Sequence, residues 1–177
     1  MVKVVIADAG PLIALAKIDR LDILQSLFST IWITTSVKNE CIAKPDKDSG
    51  LIISALSSHI NSPEVNSSEL KTIAWIQEKE IQTDRQYYPK SLGMGEIDSL
   101  EWAKRLIEQN KECLVILDDH LARKFAVKSK LPFIGIVRLL DIAEQQGIIK
   151  NAELIINKIS SNGYRISKEI LKLIRSL

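Results

Sequence analysis

Two aspartates stand directly behind short runs of apolar residues that are rich in β-branched side chains. Asp8 follows residues 2–7, and Asp118 follows residues 113–117. Such runs predict buried β-strands. When strands are parallel, their carboxyl ends lie at one edge of the sheet, and ligands of α/β folds bind at that edge. We therefore expect the two carboxylates to face one crevice.

Two glutamates are predicted to join them. Glu40 lies on the helix after the second predicted strand, residues 31–34, and Glu96 lies at the start of the helix before Asp118. Glu96 reaches the same crevice only if the register of that helix is favourable. Four carboxylates in one crevice repel one another, which raises their pKa values, and a divalent cation reverses that penalty. Hard oxygen ligands suit Mg²⁺ or Mn²⁺. The acidic residues thus predict a metal site built from four carboxylates.

Other acidic residues near these positions are auxiliary candidates. Asp119 suits the cap of the helix that begins near His120, and it is also a candidate auxiliary ligand. Asp98 stands two residues after Glu96, about 200° around the helix, so at most one of the pair is a direct ligand. Glu101 and Glu112 lie outside the line of apolar residues that marks the buried face of the predicted helix, so they are interpreted as surface charges.

The elements that would position these residues alternate between strand and helix. Strands are predicted at residues 2–7, 31–34, 113–117 and 132–134, and residues 75–81 fit either a strand or the tail of a helix. Helices are predicted at residues 21–27, 37–43 (capped by Ser36), 51–56, 121–128, 139–146, 152–159 and 167–174, with others after Pro11 and after Gly95. This alternation implies right-handed crossovers and an α/β fold, in which helices cover both faces of a central parallel sheet of about four to five strands.

Composition narrows the class of protein. The chain has 177 residues with 46% hydrophobic and 26% charged residues, which is typical of one folded domain spanning 1–177 and excludes a disordered or collagen-like chain. The formal charge of +2 excludes a polycation but is compatible with a local basic face for nucleic acid. No signal peptide or membrane-spanning run is apparent. Cys41 and Cys113 lie in apolar runs, which favours buried free thiols in a cytoplasmic protein.

The sequence resembles the PIN-domain nuclease superfamily. Within it, the sequence is most similar to a prokaryotic subgroup that is related to VapC-type toxins and was formerly filed as a domain of unknown function. The similar segments are VIADAGPLIALA (5–16), VKNE (37–40), LGMGEID (92–98), VILDD (115–119) with Ala122 and Arg123, and GYRIS (163–167). They occur in the family's order and cover almost the whole chain.

The resemblance implies a three-layer α/β/α fold, a carboxylate site for Mg²⁺ or Mn²⁺, and hydrolysis of RNA phosphodiesters, with an antitoxin protein and a second copy of the chain as partners. It assigns the four acidic positions of the family to Asp8, Glu40, Glu96 and Asp118. Asp8, Glu96 and Asp118 are the expected metal ligands, and Glu40 is expected to complete the site or orient the attacking water. The extra helices from about residue 139 to 177 are a candidate surface for a partner.

The segment after the first aspartate departs from the family. Many PIN sequences have Thr or Ser there, but this chain has Ala9 and Gly10. An alternative is therefore a weak or silent PIN-fold protein that binds nucleic acid or a partner. A phosphotransfer receiver or an aspartate-nucleophile phosphatase is disfavoured, because the acidic pair follows the later strand and Gly10 stands where a phosphatase of that kind has a second aspartate.

Basic and aromatic residues are the remaining candidates for contact with RNA. Lys17, Lys38, Arg123 and Lys124 lie near the predicted crevice in sequence and are candidate phosphate contacts. Tyr87, Tyr88 and Trp102 are candidates for stacking on unpaired bases, although Trp102 also fits a core position.

Overall fold

The computed structural model describes residues 4–56 and 74–166. Its strands are β1 (Val4–Ala7), β2 (Ile31–Thr34), β3 (Ile76–Lys79), β4 (Cys113–Ile116) and β5 (Phe133–Ile134). Its helices are α1 (Ala9–Lys17), α2 (Asp22–Phe28), α3 (Thr35–Ile42), α4 (Lys47–Leu56), α5 (Met94–Glu108), α6 (His120–Lys128), α7 (Ile136–Gln145) and α8 (Ala152–Ser161). The helix predicted at residues 167–174 lies outside the described ranges.

The five strands form one parallel sheet in the order β3-β2-β1-β4-β5. The chain runs outward from β1 through β2 to β3, and then returns to the other side of β1 to add β4 and β5. The topological switch point of the sheet therefore lies between β1 and β4. Ala7 pairs with Ile116 at the ends of these two strands, so Asp8 and Asp118 leave the sheet at the switch point, where α/β folds form a crevice.

Alternation along the strands divides the apolar core into two layers. In β1, Val5 and Ala7 pack into one cluster and Ile6 into the other, because successive side chains of a strand point to opposite faces. Helices α5 and α6 cover the face of Ile6, and the other helices supply the cluster on the opposite face. The architecture is the predicted three-layer α/β/α sandwich.

Several boundaries differ from the prediction. The ambiguous segment 75–81 contains a strand, β3, which pairs with β2. Ser36 as the cap of α3 is wrong: Thr34 has extended backbone angles, and its side-chain oxygen accepts a hydrogen bond from the Val37 amide at 3.3 Å. Gly95 lies inside α5 rather than before it, since Gly93 holds the N-cap position.

The sequence predictions also concern the two cysteines and membrane-spanning segments. Cys41 and Cys113 are both buried and free, as their apolar surroundings predict. Among the helices of residues 4–56 and 74–166, none has the combination of length and apolarity that crossing a membrane requires.

Candidate active site

An open pocket with a volume of about 1030 Å³ lies at the carboxyl-end edge of the sheet. Five acidic side chains line it, which are Asp8, Glu40, Glu96, Asp118 and Asp119. The other lining residues are Gly10, His120, Arg123, Lys124, Val127, Phe133, Tyr164, Arg165 and Ile166. The structure thus brings the four carboxylates of the sequence prediction into one cavity.

Asp8 is the most deeply buried of these acids, with 6% of its surface exposed. It occupies the N-cap position of α1, yet its side chain makes no capping hydrogen bond, and its Oδ1 has no hydrogen-bond partner among the described residues. Burial raises the pKa of Asp8 to about 7, the charges of Glu96 and Glu40 add to this effect, and the amides of Ala9 and Gly10 oppose it. Asp8 is therefore a buried carboxyl group with one oxygen that no described residue pairs.

The carboxylates of Glu40 and Glu96 both accept hydrogen bonds from backbone amides at the amino terminus of α5. Oε1 of Glu40 accepts a hydrogen bond from the Gly95 amide at 3.0 Å, and Oε2 of Glu96 accepts one from the Gly93 amide. The free amides and the dipole of a helix amino terminus favour negative charge there. Burial nevertheless raises the pKa of Glu96, and the charges of Asp119 and Glu40 add to the rise.

Asp118 lies on the amino terminus of α7. Its two oxygens accept hydrogen bonds from the Ile136 amide at 3.2 and 3.1 Å, and Oδ2 also accepts one from the Tyr164 hydroxyl at 2.7 Å. Burial raises the pKa of Asp118, while the Tyr164 and Ile136 donors and the charge of Arg123 pull it down. Asp118 is thus oriented by two donors that belong to distant parts of the chain.

The two auxiliary acidic candidates have different surroundings. Oδ1 of Asp119 accepts hydrogen bonds from the amides of Leu121 and Ala122, both at 2.8 Å, so Asp119 caps α6 as predicted. Asp98 is buried, and its Oδ2 accepts a hydrogen bond from the Ser36 hydroxyl at 2.5 Å. Asp98 is absent from the described lining of the pocket.

Two of the four predicted basic residues line the pocket, and two do not. Arg123 and Lys124 line the pocket, together with Arg165, which the sequence reasoning did not select. Lys17 and Lys38 are not part of the lining that the described residues form. Lys38 instead pairs with Glu78 of β3 at 2.7 Å.

The aromatic candidates lie away from the pocket. Trp102 is buried and packs edge-on against Trp32, with ring centroids 5.8 Å apart. Tyr88 packs on Phe125, and its hydroxyl donates a hydrogen bond to Glu101 at 2.5 Å. Tyr87 is 76% exposed. The tyrosine that lines the pocket is Tyr164, which sequence reasoning missed as a site residue, although GYRIS (163–167) was among the family-like segments.

The donor set fits a hard divalent cation in its chemistry. All five acidic side chains offer oxygen, and Asp8 Oδ1 is buried without a partner. Within residues 4–56 and 74–166, however, no three of the His, Cys, Asp and Glu side chains are grouped closely enough to hold an ion as they stand. Glu40, Glu96 and Asp118 each accept hydrogen bonds from backbone amides at the amino termini of α5 and α7.

The family model DUF3368, described as a PIN domain, matches residues 4–177. The chain therefore belongs to the PIN-domain family, whose fold is a nuclease fold. No curated protein and no solved structure matches the chain.

Proposed function

We propose that the protein is a metal-dependent endoribonuclease that hydrolyses single-stranded or looped RNA. The observation that supports this most is Asp8: a buried carboxyl group with an unpartnered oxygen and a pKa of about 7, at the switch point of the sheet. A buried carboxyl group with an unpartnered oxygen is costly for folding, and such groups in a cleft are typical of functional sites. Membership in the PIN family supports the same class of reaction.

Asp8, Glu96 and Asp118 are the residues that would hold Mg²⁺ or Mn²⁺. When bound, the ion would supply an activated water and charge stabilisation for the leaving oxygen. Water adds to the phosphorus atom and the bond to one ester oxygen breaks, which yields one phosphate end and one hydroxyl end. Glu40, whose carboxylate is held by the Gly95 amide, is assigned to orient the attacking water.

The basic rim of the pocket is assigned to the phosphate backbone of the substrate. Arg123, Lys124 and Arg165 share the cavity with the acidic cluster. Apart from the charge of Arg123 on Asp118, none of the three forms an ion pair within the part of the chain that the structure describes. Unpaired guanidinium and ammonium groups beside an acidic centre can anchor the phosphates on either side of the cleaved bond.

Cleavage of a labelled single-stranded RNA tests the proposal directly. We expect cleavage by the wild-type protein with Mn²⁺, and none with EDTA or with Asp8→Asn. Glu80→Gln is the matched control, because Glu80 is an exposed acid away from the pocket. Cleavage that persists in EDTA or in Asp8→Asn would reject the assignment.

A second candidate function is binding without cleavage. It is favoured by the spacing of the acidic side chains, since no three His, Cys, Asp or Glu side chains among the described residues are grouped closely enough to hold an ion. Binding of RNA with no product under any divalent ion would support this function over the ribonuclease.

As protein partners we propose an antitoxin and a second copy of the chain. The proposal rests on the resemblance to VapC-type toxins, and α8, where Leu154 is 61% exposed, is the surface chosen to test it. Light scattering of the purified protein tests the homodimer, and Leu154→Lys should shift the measured mass to that of a monomer. Suppression of the nuclease by a co-expressed neighbouring gene product tests the antitoxin.

A further inference from the structure

The Tyr164 side chain lines the acidic pocket, and its hydroxyl contacts Asp118 there. Helix α8 ends at Ser161, and Gly163 follows with φ of +89°, a left-handed conformation that favours glycine. This turn sends the chain back toward the switch point of the sheet. The Tyr164 ring packs against the core beside α1, and its hydroxyl donates to Asp118 Oδ2 at 2.7 Å.

The Tyr164 hydroxyl lies beside Gly10 in the first turn of α1. A Cβ at Gly10 would lie 3.5 Å from the Tyr164 hydroxyl oxygen, 3.8 Å from Tyr164 Cε2 and 3.9 Å from Asp8 Oδ2. All three contacts are ordinary van der Waals distances, so a methyl group fits beside the Tyr164 hydroxyl. Position 10 therefore adjoins both the Tyr164 hydroxyl and the Asp8 carboxylate.

We propose that Tyr164 is a positioning residue that holds Asp118 in the orientation required for binding a divalent ion, and that Gly10 is its matched partner in the first turn of α1. This inference rests on the proposed metal-dependent function. Without the hydroxyl, Asp118 keeps only the Ile136 amide as a donor, and that amide contacts both carboxylate oxygens without selecting one. Donors that orient a metal-binding carboxylate commonly change metal affinity by about 10- to 100-fold when they are removed.

The test uses four variants of the full chain. Tyr164→Phe removes the hydroxyl and keeps the ring. Tyr87→Phe is its control, since Tyr87 is 76% exposed and lies away from the pocket. Two double variants carry Tyr164→Phe together with a change at position 10. Gly10→Ser adds a hydroxyl group next to the position that the tyrosine hydroxyl has left, and Gly10→Ala adds only the Cβ. The readouts are Mn²⁺ affinity by calorimetry, the melting temperature in EDTA, and RNA cleavage.

We expect Tyr164→Phe to weaken Mn²⁺ binding by about tenfold, with a melting temperature in EDTA close to that of the wild type. Tyr87→Phe should match the wild type in both. Added Gly10→Ser should recover part of the lost affinity, and added Gly10→Ala should not. A merely structural tyrosine would not produce recovery that depends on the hydroxyl at position 10.

Unchanged Mn²⁺ affinity in Tyr164→Phe would overturn the positioning role, and equal affinities of the two double variants would overturn the pairing with Gly10. The metal readout also separates this inference from the proposed ribonuclease. A wild-type protein that binds Mn²⁺ but leaves RNA intact would reject the ribonuclease, while the affinities of the variants would still decide the role of Tyr164. A wild-type protein that binds no Mn²⁺ would reject both.

Discussion

Oε1 of Glu40 accepts a hydrogen bond from the backbone amide of Gly95 at 3.0 Å, which joins α3 to the amino terminus of α5. The contact depends on the absence of a side chain at Gly95. A Cβ there would lie 2.8 Å from Glu40 Oε1 and 3.1 Å from its Cδ and Oε2. Glycine at this position therefore lets a carboxylate lie directly on a helix amino terminus, inside the acidic pocket.

Gly95→Ala should reduce Mn²⁺-dependent cleavage by about tenfold while changing stability little. The added methyl group displaces the Glu40 carboxylate, which is the mobile end of a side chain and moves at small energetic cost. The better helix propensity of alanine, about 1 kcal/mol over glycine, offsets that cost.

Gly50→Ala is the matched control for this substitution. Gly50 also lies in a helix, α4, but a Cβ there would meet nothing within 4 Å. We expect slight stabilisation and full cleavage. Chemical denaturation and cleavage rates distinguish the two variants, and a fully active Gly95→Ala would show that Glu40 is not needed where the structure holds it.

The pKa of Asp8 predicts how stability changes with pH. Folding raises this pKa from the ordinary 3.8 to about 7, so the folded protein binds the Asp8 proton more tightly than the unfolded chain does. The stability linked to this proton is fully present below about pH 4 and is lost as pH rises toward about pH 7. At 1.36 kcal/mol per pKa unit, the loss is on the order of a few kcal/mol.

Asp8→Asn should remove this part of the pH dependence and stabilise the metal-free protein above about pH 7. Glu96 and Asp118 also have raised pKa values, so part of the slope should remain. Urea unfolding in EDTA from about pH 4 to about pH 8 measures the effect, with Glu80→Gln as the control. If Asp8→Asn is strongly destabilised at every pH, Asp8 is a structural cap for α1.

Mn²⁺ should raise the melting temperature of the wild-type protein, because an ion that binds only the folded state adds about 2.7 kcal/mol at 100 times its dissociation constant. The shift should shrink below about pH 7, where Asp8 holds its proton and the ion must displace it. Asp8→Asn should abolish the shift.

Asp98→Asn should keep the Mn²⁺ shift relative to its own metal-free form, since Asp98 contacts Ser36 and lies outside the described lining of the pocket. Loss of the shift in Asp98→Asn would give that residue the auxiliary role predicted from the sequence.

Local sequence patterns predict the framework of the site well. The apolar runs before Asp8 and Asp118 indicate two strands, and the parallel arrangement of alternating elements places their carboxyl ends together. The same reasoning puts Glu40 on the helix after β2, and it brings Glu96 to the crevice only if the register of its helix is favourable. The structure brings both to one pocket through the amino terminus of α5, a contact between residues 55 positions apart for Glu40 and Gly95.

Contacts across long stretches of sequence account for what the sequence did not predict. Lys38 follows β2 closely, but its ammonium group pairs with Glu78 on β3, and no local pattern indicates that partner. Ser36 has a side chain suited to a cap, but it donates to Asp98, 62 residues away, while Thr34 takes the cap position. Tyr164 reaches Asp118 across 46 residues, because the turn at Gly163 reverses the chain.

The basic rim gives a prediction for the salt dependence of RNA binding. Arg165 is exposed and lines both the acidic pocket and a smaller adjoining one of about 240 Å³, which Arg123 and Arg138 also line. If Arg165 contacts one phosphate of a single strand, Arg165→Gln should reduce the slope of log affinity against log salt by about 0.7. Binding is measured by fluorescence anisotropy in EDTA, so that the labelled RNA stays intact.

Lys17→Gln is the matched control for that measurement. Lys17 is also exposed and basic, and the sequence alone made it an equal candidate, but it is not part of the described lining of either pocket. We expect its salt slope to equal that of the wild type, because a charge that contacts no phosphate releases no counterion when RNA binds. Equal slopes for all three proteins would remove Arg165 from the RNA path, and a reduced slope for Lys17→Gln alone would place the RNA on the side of α1 away from the acidic pocket.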